Sequence, residues 1–192
     1  MIDKCQKEDV FYDDVYGKAA MDVKDFIEDE MTIYAEIIGF NPNGKPVQIG
    51  YDYGCDQGKF KIMPYRITKG KEEYNATKVR DWTLQAIEKN KDSNLFPLQI
   101  LYCGTLEERY PSISYEGAEW KDEVVSMMKN DFGMEKNEPL CRNKVPREGI
   151  VIRKEDNSKE AYKLKSDKFY LRETKMIDDG NFNDMEAENT NY

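Results

Sequence analysis

REGIVIRKEDNSKEAYKLKS, Arg147 to Ser166, holds the pairing on which the fold turns. Gly149-Ile150-Val151-Ile152 is a compact, β-branched run, and Ala161-Tyr162-Lys163-Leu164-Lys165 alternates strictly. Together they predict a β-hairpin around Glu155-Asp156-Asn157-Ser158. A period of two puts Lys163 and Lys165 on one face of the second strand. Two neighbouring ammonium groups repel unless water or an anion lies between them, and Glu148 at the strand mouth is placed to hold a metal beside such an anion. Phosphate and magnesium fit that pattern.

The other 172 residues set the bounds, since 192 in all suffice for one domain with a proper core. No apolar run approaches a membrane span, and Met1-Ile2-Asp3-Lys4-Cys5 is polar where a signal peptide needs an apolar stretch. A soluble, cytoplasmic protein with no membrane partner is therefore expected. Cys5, Cys55, Cys103 and Cys141 form no CxxC pair and histidine is absent, which argues against a thiolate or imidazole zinc site. The thiols are expected to be free and to serve mostly as small core residues. Without histidine, Ser-His and Cys-His catalysis are excluded, leaving carboxylates, lysines and a bound metal.

The formal charge of -9 is unevenly spread. Residues 1–30 hold 4 basic and 10 acidic side chains, whereas Arg142 to Lys175 holds 11 basic and 6 acidic ones. The basic excess therefore falls on the hairpin, where it suits a polyanion. On charge alone, a solvated face of mixed charge accounts for it equally well.

Along the chain, Lys18 to Glu30 predicts an acidic amphipathic helix, with Ala19, Val23, Phe26 and Ile27 at helical spacing. Thr32 to Phe40 predicts a strand, Asn41-Pro42-Asn43-Gly44 a turn, and Val47 to Tyr51 a second strand. Lys59 to Ile67 predicts a third, with Pro64 at an edge or bulge because it cannot donate to a ladder. Ala76 to Asn90 carries Val79, Trp82, Ala86 and Ile87 on one helical face, with Leu84 to the side. Leu98 to Cys103 predicts a buried strand, and Glu116 to Asn130 a helix bearing Trp120, Val124, Met127 and Met128. Ser166 is placed to cap a final helix, Asp167 to Ile177. The order is α+β.

In family order, the residues resemble motifs of the covalent nucleotidyltransferases, the ATP-dependent RNA ligases, DNA ligases and capping enzymes. The RNA ligase branch is the most similar. Tyr34-Ala35-Glu36-Ile37-Ile38-Gly39 looks like motif III, Phe60 to Ile67 like motif IIIa, Arg147 to Arg153 like motif IV, and Tyr162-Lys163-Leu164-Lys165 like motif V. The resemblance implies an antiparallel-sheet nucleotidyltransferase core of the ATP-grasp-like ligase type over residues 1–177, and the polar, acidic composition of residues 178–192 predicts a disordered tail. It further implies that Glu36 contacts the ribose of ATP and that Tyr65 stacks near the purine. Glu148 would hold or orient magnesium, and Lys163 and Lys165 would neutralise the α-phosphate and the pyrophosphate leaving group. Arg66 departs from the pattern, standing where some relatives have aspartate. RNA or DNA ends would be the substrates.

One family element is missing from the sequence. The chemistry begins with a lysine in K-x-D-G or K-x-x-G, yet none of the 12 glycines has a lysine three residues before it. Before Glu36 only Lys4, Lys7, Lys18 and Lys24 occur, without the right neighbours. The expectation is a core incomplete at its N-terminus, inactive alone as an RNA ligase and needing a nucleophilic lysine from a partner chain or separate N-terminal ligase segment. The alternative is a catalytically silent module that binds nucleotide, RNA or protein.

Overall fold

The computed structural model describes residues 14–155 and 160–179. The tip of the predicted hairpin over residues 156–159, Cys5, Lys4, Lys7 and the expected tail from residue 180 onward lie outside the described residues. Mixed α+β structure with two small antiparallel sheets is observed, in two compact units. The first takes described residues 14–103, 140–143 and 154–155; the second takes 104–139, 144–153 and 160–179.

In the first unit, Asp14 caps α1 (Val15–Val23) by accepting from the Gly17 N–H. The helix begins earlier than its apolar spacing predicts, because Asp14 supplies the cap and Val15 is buried. It also ends earlier, at a 3-10 turn over Lys24–Phe26, and Ile27 lies exposed beyond that turn. The chain then enters β1 (Met31–Gly39), which pairs antiparallel with β2 (Phe60–Lys69). A short β3 (Glu72–Glu73) extends the sheet, and Asn75 caps α2 (Ala76–Lys89) by accepting from the Lys78 N–H.

Alternation along β1 turns Met31, Ile33, Ala35 and Ile37 toward the helices. Ala35 and Ile37 join Phe60, Ile62 and α1, while Met31 and Ile33 join Ile67, Tyr74 and Val79. Full burial of an aliphatic side chain such as Ile67 or Val79 contributes roughly 1.5–3 kcal/mol. The opposite face bears the half-buried Tyr34 and the exposed Glu36, with Ile38 buried near its end. Pro64 is accommodated by a bulge: Tyr34 is opposite Arg66 and Ala35 opposite Pro64, so Tyr65 has no partner across the ladder. At the end of β1, Gly39 has φ +105°, and a Cβ there would lie 2.7 Å from Cys55 Sγ and 2.8 Å from the Lys59 carbonyl oxygen. Only glycine fits that exit.

Two of the predicted strands are absent. Residues 47–51 form a turn, in which the Tyr51 N–H donates to the Gln48 carbonyl and Gly50 takes φ +81°. Leu98 to Cys103 is irregular, with Leu101 45% exposed. The edge of β2 is engaged one step earlier, where Ile62 bonds Asn94 and Phe96 on either side of Leu95. Pro97 then lacks the N–H needed to continue that pairing. Among the described cysteines, all free, only Cys55 is buried, and Cys103 is exposed.

A polar clamp joins residues 50–56 to 140–143 within this unit. Asp52 accepts from the backbone N–H groups of Gly54 at 2.7 Å, Arg142 at 3.0 Å and Asn143 at 3.3 Å. Burial alone would raise its pKa, but these three donors and the Arg142 charge outweigh burial and hold the carboxyl below the usual aspartate value. A lowered folded pKa means the stabilisation is full above the unfolded value, about 3.9, and is lost as pH falls through the folded one. Asp52→Ala is therefore expected to cost about 1.5–3 kcal/mol at neutral pH. Thermal melting across pH 2–7 checks this: the difference between the two proteins should close below about pH 4.

The second unit contains α3 (Leu106–Arg109), opened by a Thr105–Glu108 capping box, and α4 (Trp120–Asp131). Then come β4 (Gly149–Arg153), β5 (Ala161–Lys165) and α5 (Asp167–Asp178). Its core gathers Tyr110, Ile113, Val124, Met128, Met134 and Ile150, with Ile152 and Leu164 packed against it. The predicted hairpin is present, with Ile150 opposite Leu164 and Val151 opposite Lys163. One face is thereby buried by Ile150, Ile152 and Leu164, and the other presents Val151, Lys163 and Lys165.

Candidate functional site

The hairpin of the second unit brings together three of the five candidate residues. Lys163 pairs with Glu148, and Lys165 lies 2.8 Å from Glu173, a residue of α5. The lysine side chains are 42% and 39% exposed, and each glutamate side chain is 25% exposed. Pairs this open to water contribute about 0–1 kcal/mol, so they orient the ammonium groups without holding them against a competing anion. Lys165 Nζ also stands 5.4 Å from the centroid of the Phe169 ring. Glu173 follows Phe169 by four residues, so helical period puts it on the same face as a buried anchor. That relation was available in the sequence and was missed.

Ser166 sets the position of Glu148. It is fully buried and its N–H donates to the Glu148 carbonyl at 2.8 Å. Its hydroxyl donates to the Arg147 carbonyl at 2.6 Å and accepts from the Phe169 N–H at 3.1 Å, which caps α5. One side chain thus ties the start of β4, the end of β5 and the start of α5. Ser166→Ala should cost about 1–2 kcal/mol, read from denaturant unfolding, because both the cap and a buried carbonyl lose their partner. Arg147 is engaged elsewhere: it donates to the Phe132 carbonyl at 2.5 Å and stands 3.9 Å from Glu138.

Glu36 and Tyr65 belong to the first unit. Glu36 is exposed on the sheet face turned away from α1 and α2, across from Met63. Tyr65 is the extra residue of the bulge and is 46% exposed, so it is not a core residue. Beside it, Arg66 makes two 2.9 Å bonds to Glu73 and lies 4.8 Å from the centroid of the Tyr34 ring. The hydrogen bonds that it donates to Glu73 are the chief cause that raises the Arg66 pKa above its ordinary value. This part of the sheet therefore carries two carboxylates, two tyrosines and a guanidinium bonded to one of those carboxylates.

No family model matches the chain, and no curated protein or solved structure matches it. The fit of the implied ligands accordingly rests on the side chains themselves. Among the described residues, no three or more Cys, His, Asp or Glu side chains gather to hold a metal. Magnesium asks for less, since it keeps several waters and takes one or two carboxylates plus substrate phosphates. Glu148, accessible and beside an ammonium group, fits that modest role. Lys163 and Lys165 fit phosphate oxygens as point charges.

Among the described residues, no helix is long and apolar enough to cross a membrane.

Proposed function

We propose that the chain is the motif III to V portion of an RNA-ligase-type nucleotidyltransferase, with the corresponding antiparallel ligase core. Following the resemblance, Glu36 and Tyr65 are assigned to ribose and base, Glu148 to magnesium, and Lys163 and Lys165 to phosphates. The observation that supports this reading is the Glu148–Lys163 pair in the hairpin, next to Lys165. A carboxylate and two lysines held on one open strand pair are the groups that a metal-bound triphosphate requires.

The nucleophile is assigned to a lysine of another chain or segment, because no K-x-x-G element occurs in this sequence. A balanced reaction then follows. The deprotonated amine of that lysine attacks the α-phosphorus of ATP, the P–O bond to pyrophosphate breaks, and a lysyl-AMP phosphoramide forms. A nucleic-acid 5′-phosphate takes the AMP, and a 3′-hydroxyl displaces it as the ends are sealed. The same missing element favours a second reading, a silent module that binds nucleotide or RNA without transferring AMP.

Equilibrium binding of labelled ATP, with and without magnesium, tests the assignment of Glu148. Magnesium should tighten binding to the unaltered chain, and Glu148→Gln should remove most of that gain. Equal magnesium dependence in both proteins would contradict the assignment.

A further inference from the structure

A cleft of about 350 Å³ lies wholly within the first unit, between residues 54–61 and residues 93–96. None of the five residues discussed above lines it. Phe60, Leu95 and Phe96 form its apolar part, and Lys59 and Lys61 supply two positive charges. Lys61 Nζ donates to the Tyr53 carbonyl at 2.9 Å and stands 4.7 Å from the centroid of the Phe96 ring. The Lys59 ammonium group meets no carboxylate among the described residues, nor does that of Lys61. Lys69, Lys163 and Lys165 differ, for each meets a glutamate.

In a chain of formal charge -9, two uncompensated lysines facing one cleft call for an anion. Asp56 lines the cleft but is 2.8 Å from Arg142, and Asp52 is held by three backbone N–H groups. Ser93, also in the lining, has a hydroxyl hidden from water with no hydrogen-bond partner among the described residues. A bare phosphate would fill little of the space, whereas the volume and the aromatic wall suit a phosphate attached to a flat apolar group.

We propose that this cleft is a second anion site that takes one nucleotide unit, its phosphate between Lys59 and Lys61 and its base along Phe96. The unit comes either free or as the 5′-phosphorylated end of a strand. The site shares no residue with the proposed ATP contacts, so it stands or falls separately from them.

Fluorescence anisotropy of the full chain with a 3′-labelled, 5′-phosphorylated hexaribonucleotide tests the proposal, with AMP as competitor. Lys59→Ala should weaken binding about tenfold, Lys59→Arg should restore most of it, and adding Lys61→Gln should weaken it further. Competition by AMP identifies a site for free nucleotide. Failure of AMP to compete, together with weak binding of the hexamer lacking its phosphate, identifies a site for a strand end. Unchanged binding in Lys59→Ala/Lys61→Gln, or no binding of either probe to the unaltered chain, would overturn the proposal. Neither result would bear on magnesium-dependent ATP binding, which reports on Glu148, Lys163 and Lys165.

Discussion

Replacing Lys163 and Lys165 together by alanine is expected to weaken ATP binding about a hundredfold or more while leaving the chain folded. Each lysine donates from an ammonium group to a phosphate oxygen in the proposed complex, and such charge-assisted bonds contribute about 1.5–3 kcal/mol. The folded protein loses little, because the bonds forgone are the exposed pairs to Glu148 and Glu173, worth about 0–1 kcal/mol each. Loss of affinity at an unchanged melting temperature is the expected signature. Equal affinity in the variant would remove the phosphate contacts from the hairpin, and a large fall in melting temperature would make the pairs structural.

Gly149→Ala is expected to have the largest effect on stability of any single methyl added to the hairpin. A Cβ at Gly149 would lie 2.1 Å from the Leu164 carbonyl oxygen and 2.9 Å from the Lys165 Cα. Both are backbone atoms of the facing strand, so no side chain can swing aside to make room. The strands must separate where Gly149 pairs with Lys165, which also pulls Glu148 from its Ser166 bond. Overpacking of this kind costs about 3 kcal/mol, or on the order of 10 °C in melting temperature for a chain this size. Thermal melting checks the magnitude, and ATP binding should weaken in parallel because Glu148 and Lys163 lose their common frame. A melting curve within about 1 °C of the unaltered chain would show that the strand pair can open there at little cost.

The hairpin was legible in the sequence because three local signals agree over a short distance. β-branched residues in Gly149 to Ile152, strict alternation in Ala161 to Lys165 and the Ser166 cap each mark one boundary or strand of the same unit. α2 was legible for a similar reason: Val79 and Ala86 recur on one face and are buried, whereas Leu84 is exposed. The bulge at Tyr65 follows from Pro64, whose missing N–H cannot sit in a regular ladder. The failures share a different cause. Leu98 to Cys103 and Val47 to Tyr51 have apolar composition, but a strand needs a partner edge, and composition does not say which edges are already taken. Ile62 bonds both neighbours of Leu95, and Gly50 turns the chain before any pairing can extend.

For the candidate residues, the sequence carried chemical type and face but not partners. Alternation placed Lys163 and Lys165 together, yet their pairing with Glu148 and Glu173 depends on how β4 and α5 flank β5. Lys59 and Lys61 do not stand out in the sequence because their interest lies in lacking an ion-pair partner among the described residues, and that is visible only in three dimensions. Glu36 was correctly assigned to a strand, and its exposure follows from its even position against Ala35 and Ile37, which pack inward.

The most direct test is transfer of label from α-³²P ATP in the presence of magnesium. The chain is assayed alone and mixed with a separately prepared ligase segment bearing a K-x-x-G lysine. The account predicts no label on this chain alone, and label on the added segment only in the mixture, abolished by Lys163→Ala with Lys165→Ala. Covalent label on this chain alone, or no label in the mixture despite a folded complex, would contradict it.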